Sequence, residues 1–171
     1  MTLHIVLLPI FVLLGVSHVL LLRGERDVVA WIGRLAVLVF IAFYGALDAI
    51  AGIATGTIMV RSGAASDERR PEIQWLYGIG GDLATPGAWA FLVASVATSV
   101  VLLRRRGRVA VPGAVLLVSA SVPFLDSHIY WPNGVVSMLV MAAGFGWLAL
   151  LPANDCGSLP TASRVAVGGP R

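Results

Sequence analysis

Apolar residues in this chain run in long blocks separated by short polar clusters, the pattern of segments that cross a bilayer. Crossing about 30 Å of hydrocarbon takes roughly 20 apolar residues. Leu3 to Leu22 is the first such block, interrupted only by His4, Ser17 and His18. No basic residue precedes it, it lacks a small-x-small cleavage site, and Arg23 closes it, so it reads as an uncleaved first helix rather than a signal peptide. Leu35 to Val60 is the second block and holds a single charge, Asp48. The preceding Val28 to Arg34 reads as an interfacial approach anchored by Trp31.

Trp75 to Leu103 is apolar apart from Asp82 but long for one crossing. Gly78, Gly80 and Gly81 weaken a helix there, and Thr85 before Pro86 has the form of an N-cap followed by proline at the first helical position. The expectation is a crossing helix over 86–103, with residues 73–84 interfacial or re-entrant. The fourth span is expected over 109–130, with Pro112 in its first turn and Pro123 kinking it late. Trp131-Pro132-Asn133-Gly134 predicts a tight turn. Val135 to Leu151 is the fifth span, stopped by Pro152, and residues 153–171, rich in Gly, Pro, Ala and Ser, read as a flexible cytoplasmic tail. The predicted fold is all-α: a polytopic integral membrane helix bundle of five transmembrane helices within residues 1–152 (spans 3–22, 35–60, 86–103, 109–130 and 135–151).

Composition agrees. The chain is 58% apolar and 12% charged, against roughly 25% charged in soluble domains, which excludes a disordered chain and an ordinary cytosolic enzyme. The lone Cys156 excludes an internal disulfide or a Cys-x-x-Cys motif. Every basic residue is Arg, and with the N-terminus outside, nine fall on the inner side (23, 26, 34, 104, 105, 106, 108, 164, 171) and three on the outer (61, 69, 70). This asymmetry predicts an N-out, C-in topology, in the cytoplasmic membrane of a bacterium. The run Arg104, Arg105, Arg106 and Arg108 has the look of a nucleic-acid or lipid patch, but an inner loop obeying the positive-inside bias explains it. Membrane lipids, not nucleic acid, are the expected partners.

Small residues pack helices in lipid. Gly45, Ala49, Gly52 and Gly56 form one stripe on the second span at 100° per residue, with Ala90, Ala94 and Ala97 as a plausible partner on the third. The Gly52–Gly56 match admits a homo-oligomer through that face, although packing within the chain is the simpler reading. Asp48 lies about 60° from the stripe centre, so it faces the bundle. Tyr44 and Thr55 border it as hydrogen-bond donors, and no cation is assured at its depth. The expected state is a carboxyl group protonated at neutral pH, serving either as a polar clasp between helices or as a ligand, proton or ion site.

Counting about 1.5 Å per residue from the inner helix ends places Asp48 roughly 20 Å up, Asp126 roughly 25 Å, and His4 and His128 roughly 27 Å, with His18 only about 6 Å up. The outer half of the bundle thus collects Asp48, Asp82, Asp126, His4 and His128, either as an outward-open polar pocket or, for the last three, as interfacial residues near water. Asp126 and His128 point about 200° apart on a helix, so no tetrahedral metal site is expected, and the three His do not supply bis-His haem pairs. No cofactor is expected.

Three functions remain open. The first is an intramembrane acidic site (Asp48, Tyr44, Thr55, Asp82, Asp126, His128) opening outward for a small ligand, proton or cation. The second is a membrane-embedded enzyme on a lipid or isoprenoid-like substrate, with Asp48 as acid and His18 or His128 as base. The third is a non-catalytic assembly or accessory subunit.

Overall fold

A computed structural model describes residues 2–63, 70–127 and 132–152. Helix α1 covers Thr2–Leu21 and α2 covers Val28–Leu47, which continues without a break through a π-helical segment, Asp48–Ala54, into α3, Thr55–Arg61. Helix α4 runs from Pro71 to Arg106; a 3-10 turn at Gly107–Ala110 leads into α5, Val111–Ser121, a short α6, Phe124–Ser127, and α7, Asn133–Leu150. No strand occurs among the described residues. Among the described residues four stretches are long and apolar enough to cross a membrane: His4–Leu21, Val28–Arg61, Pro71–Asp126 and Asn133–Leu150.

The long helices α1, α2, α4, α5 and α7 run antiparallel to their neighbours along the chain. Gly15 packs on Ile41 while His4 reaches Asp48, which aligns α1 against α2 and its π extension in opposite directions. Gly33 meets Ala97 and Gly87 meets Tyr44, so α4 runs back along α2. Ser95 and Ser121 hydroxyls lie 2.9 Å apart, and Gly113 meets Leu148, which turns α5 against both α4 and α7. The reversal between α4 and α5 falls at Gly107, whose φ of 66° closes the C-terminus of α4 in the left-handed region that favours glycine.

The core is built from aromatic rings and alanines. Phe11, Phe40, Tyr44, Phe91 and Phe124 are buried together, with Tyr44 stacked on Phe124 at 5.1 Å and Phe40 against Phe91 at 4.8 Å. Large apolar side chains such as Leu13, Leu20, Leu38, Leu139 and Leu150 point outward instead. Their exposure suits a hydrocarbon solvent, in which burial of apolar groups is not what drives helices together.

Several boundaries differ from the sequence expectation. Asp27 caps α2 by accepting from the Ala30 amide at 2.8 Å, so Val28 to Arg34 is the first part of the helix rather than a separate approach. Pro86 does not begin a helix: α4 is continuous across it, and Thr85 turns back toward the Gly81 carbonyl at 3.4 Å instead of capping. Proline is tolerated inside membrane helices where neighbouring groups take up the freed carbonyl. The 36 residues of α4 span about 54 Å at 1.5 Å per residue, longer than the hydrocarbon itself. The break at Val122–Pro123 follows the expected kink. Asn133 and Gly134 belong to the first turn of α7 rather than to a tight turn, with Ser137 donating back to the Asn133 carbonyl at 2.8 Å. The tail over 153–171 lies outside the described residues.

The small-residue stripe also resolves differently. Only Gly52 of its four members is buried; Gly45 and Gly56 are half-buried and Ala49 is exposed. The π segment winds the backbone more loosely than 100° per residue, which takes the stripe off one line. The alanines of α4 pack instead on the earlier half of α2, Ala94 with Ala36 and Val37, and Ala97 with Gly33.

Candidate functional site

Helix α1 presents one face inward, carrying His4, Phe11, Gly15, His18 and Leu22 at spacings of 7, 4, 3 and 4, the repeat that keeps side chains on one side of a helix. Two histidines therefore enter the bundle from the same face. They are separated by 14 positions, about 21 Å along the helix, with the aromatic cluster between them.

At the upper end, His4 Nδ1 lies 2.6 Å from Asp48 Oδ1. The carboxylate side chain is 2% exposed and the imidazole 35%, so the acid is shut inside while the base reaches the surface. Among the described residues the buried Asp48 Oδ2 has no hydrogen-bond partner. The pair owes its closeness to two features of the second membrane segment. Asp48 opens the π helix, a conformation that concentrates at functional positions. Gly52, one turn further, leaves bare backbone beneath the imidazole: a Cβ there would clash with the His4 ring.

This arrangement corrects the expected surroundings of Asp48. Thr55 is buried but its hydroxyl donates to the Ile50 carbonyl at 3.2 Å, a bond the π segment makes available. Tyr44 belongs to the aromatic core, edge-on to Phe11 and stacked on Phe124. A potential cation does stand beside Asp48, and it is His4, which depth counting had set about one turn too high. Asp82 and Asp126 are both on exposed faces, without a hydrogen bond to Asp48. His128 lies outside the described residues. Among the described residues no group of three or more His, Cys, Asp or Glu converges, so the pair offers a metal two protein ligands.

At the lower end, His18 is fully buried. Its Nδ1 lies 2.9 Å from the Thr98 hydroxyl, and the rings of Phe91 and Phe145 stand edge-on to it at 5.2 and 4.8 Å. Nε2 has no hydrogen-bond partner among the described residues. His18 is thus a buried polar contact between α1 and α4, far from Asp48, and the acid–base couple of those two residues is not formed. Its role was hidden because a single His on an apolar run carries no sign of which helix it will meet.

The chain matches no protein-family model, and no curated protein and no solved structure is detectably similar to it.

Proposed function

We propose that this is a membrane protein crossing the bilayer five times with its N-terminus outside, and that the His4–Asp48 pair is a proton-binding site reached from the outer side. The reversal at Gly107 within the long apolar stretch Pro71–Asp126 supports reading that stretch as two crossings. Arginines from two helices, Arg34 of α2 and Arg105 and Arg106 at the end of α4, meet at one end of the bundle. Arg34 donates to the Leu22 and Glu25 carbonyls at 2.6 Å each, Arg105 pairs with Glu25 at 3.2 Å, and Arg106 donates to the Leu148 carbonyl. The positive-inside bias favours that end as cytoplasmic, which leaves His4 and Asp48 near the opposite face.

The observation that carries the proton reading is the 2.6 Å contact between a buried carboxyl oxygen and a half-exposed imidazole. An isolated carboxylate at that depth costs several kcal/mol, about 2.5–3.5 on the lenient insertion scale. With one proton held between Oδ1 and Nδ1 and none on Nε2, the pair carries one negative charge. A second proton arriving from water is taken at Nε2, and the pair is then neutral, which removes the cost of the buried charge. A relay from solvent to a buried acid needs no third ligand, whereas a metal ion does.

Infrared spectra recorded against pH on protein in lipid nanodiscs test this. A pH-dependent carboxyl or carboxylate band is expected in the wild type, absent in Asp48→Asn and displaced in His4→Gln. Identical pH-difference spectra in the wild type and Asp48→Asn would exclude the site.

A further inference from the structure

A groove of about 400 Å³ opens at the arginine-rich end between α1, the end of α4 and α7. Its walls are apolar or small: Leu20 and Leu21 on one side, Phe145, Gly146 and Ala149 on the other. Its rim carries three guanidinium groups, those of Arg23, Arg105 and Arg106. Glu25 pairs with Arg105 at 3.2 Å. Arg106 is half-buried, anchored by its bond to the Leu148 carbonyl, and its buried Nε has no partner among the described residues.

We propose that this groove binds an anionic phospholipid, its phosphate held by Arg23, Arg105 and Arg106 and one acyl chain laid between α1 and α7. Guanidinium groups match phosphate oxygens with paired N–H donors. Basic pockets between membrane helices on the cytoplasmic side take anionic headgroups. The volume is that of a site for part of an amphiphile. Its polarity is stacked in the order a lipid presents, charge at the end of the bundle and apolar wall toward its middle. Positive-inside bias alone accounts for arginines anywhere in the inner loops, as for exposed Arg104 and Arg108. It does not account for three that rim one apolar cleft.

Native mass spectrometry on delipidated protein, titrated with phosphatidylglycerol or with phosphatidylcholine of the same chains, separates the readings. One phosphatidylglycerol per chain is expected to bind at least ten-fold tighter than phosphatidylcholine. The Arg23→Gln/Arg105→Gln variant should lose that preference, whereas Arg104→Gln/Arg108→Gln should keep it. Gly146→Leu fills the groove from a position where a side chain meets no neighbour within 4 Å, and it should expel the lipid while all arginines remain. Glycerol phosphate, which has a phosphate but no acyl chain, should fail to compete. Equal binding of the two lipids, equal loss in both arginine variants, wild-type binding by Gly146→Leu, or full competition by glycerol phosphate would each overturn the proposal.

Discussion

The imidazole of His4 occupies the space that a side chain on Gly52 would need, so the residue that makes the Asp48 pair possible is one with no chemistry of its own. Gly52→Ala should push the ring off Asp48 and leave a buried carboxyl without its partner. The loss of stability expected is about 1–2 kcal/mol, the range of polar contacts between membrane helices, read from unfolding in sodium dodecyl sulfate mixtures. Its infrared signature should match that of His4→Gln, whereas Gly45→Ala, where a Cβ meets nothing within 4 Å, should leave both readouts unchanged.

Asp48 itself separates clasp from proton site. Asp48→Asn retains a carbonyl oxygen for the His4 Nδ1 proton and should unfold within about 0.5 kcal/mol of the wild type. Asp48→Leu leaves the imidazole unpaired and should lose about 1–2 kcal/mol. If Asp48→Asn abolishes pH-dependent proton uptake while remaining folded, the carboxyl titrates; if uptake is retained, it serves only to hold the helices.

His18 and Thr98 form a contact in which one side is incomplete, since Nε2 has no partner among the described residues. Thr98→Val would strand Nδ1 as well, at a cost of about 1–3 kcal/mol for an unsatisfied buried group. Thr98→Ser should restore the bond. His18→Leu removes the imidazole and its need for partners together, and the Thr98 hydroxyl can turn to the carbonyl one turn back in its own helix. The expected order of stability is therefore His18→Leu above Thr98→Val, and the reverse order would show that Nε2 has a partner in the membrane.

Helices α5 and α7 approach closely because Gly144 faces backbone: a Cβ there would lie 2.9 Å from the Leu117 amide nitrogen and 3.2 Å from the Gly113 carbonyl oxygen. Backbone cannot swing aside as a side chain can, so Gly144→Ala should cost about 1–3 kcal/mol through overpacking. Gly146→Ala, with nothing within 4 Å, should be neutral or gain up to about 1 kcal/mol from helix propensity. Two alanine substitutions one residue pair apart thus carry opposite signs in the same unfolding assay.

The sequence by itself determined that the chain is built of apolar helices and that one end of the bundle is basic. Helix α1 over Thr2–Leu21 and α7 over Asn133–Leu150 fall within two residues of the expected spans, and the interruption at Pro123 is where proline withdraws its amide. These follow from local causes, the apolar length a bilayer demands and the backbone chemistry of one residue. Asp48 was also legible as a bundle-facing acid, because a charge in an apolar block has few places to go. Tertiary structure decided the rest. Pro86 reads as a helix start until packing on α2 carries α4 through it. The 100° wheel fails after Asp48 because the π segment changes the twist, so Gly45, Ala49 and Gly56 leave the buried line and Thr55 turns to its own backbone. The pairing of His4 with Asp48 spans 44 positions and depends on how two helices slide past each other. Periodicity within either helix carries no record of that register, which is set by the fit of His4 over Gly52 and of Gly15 against Ile41.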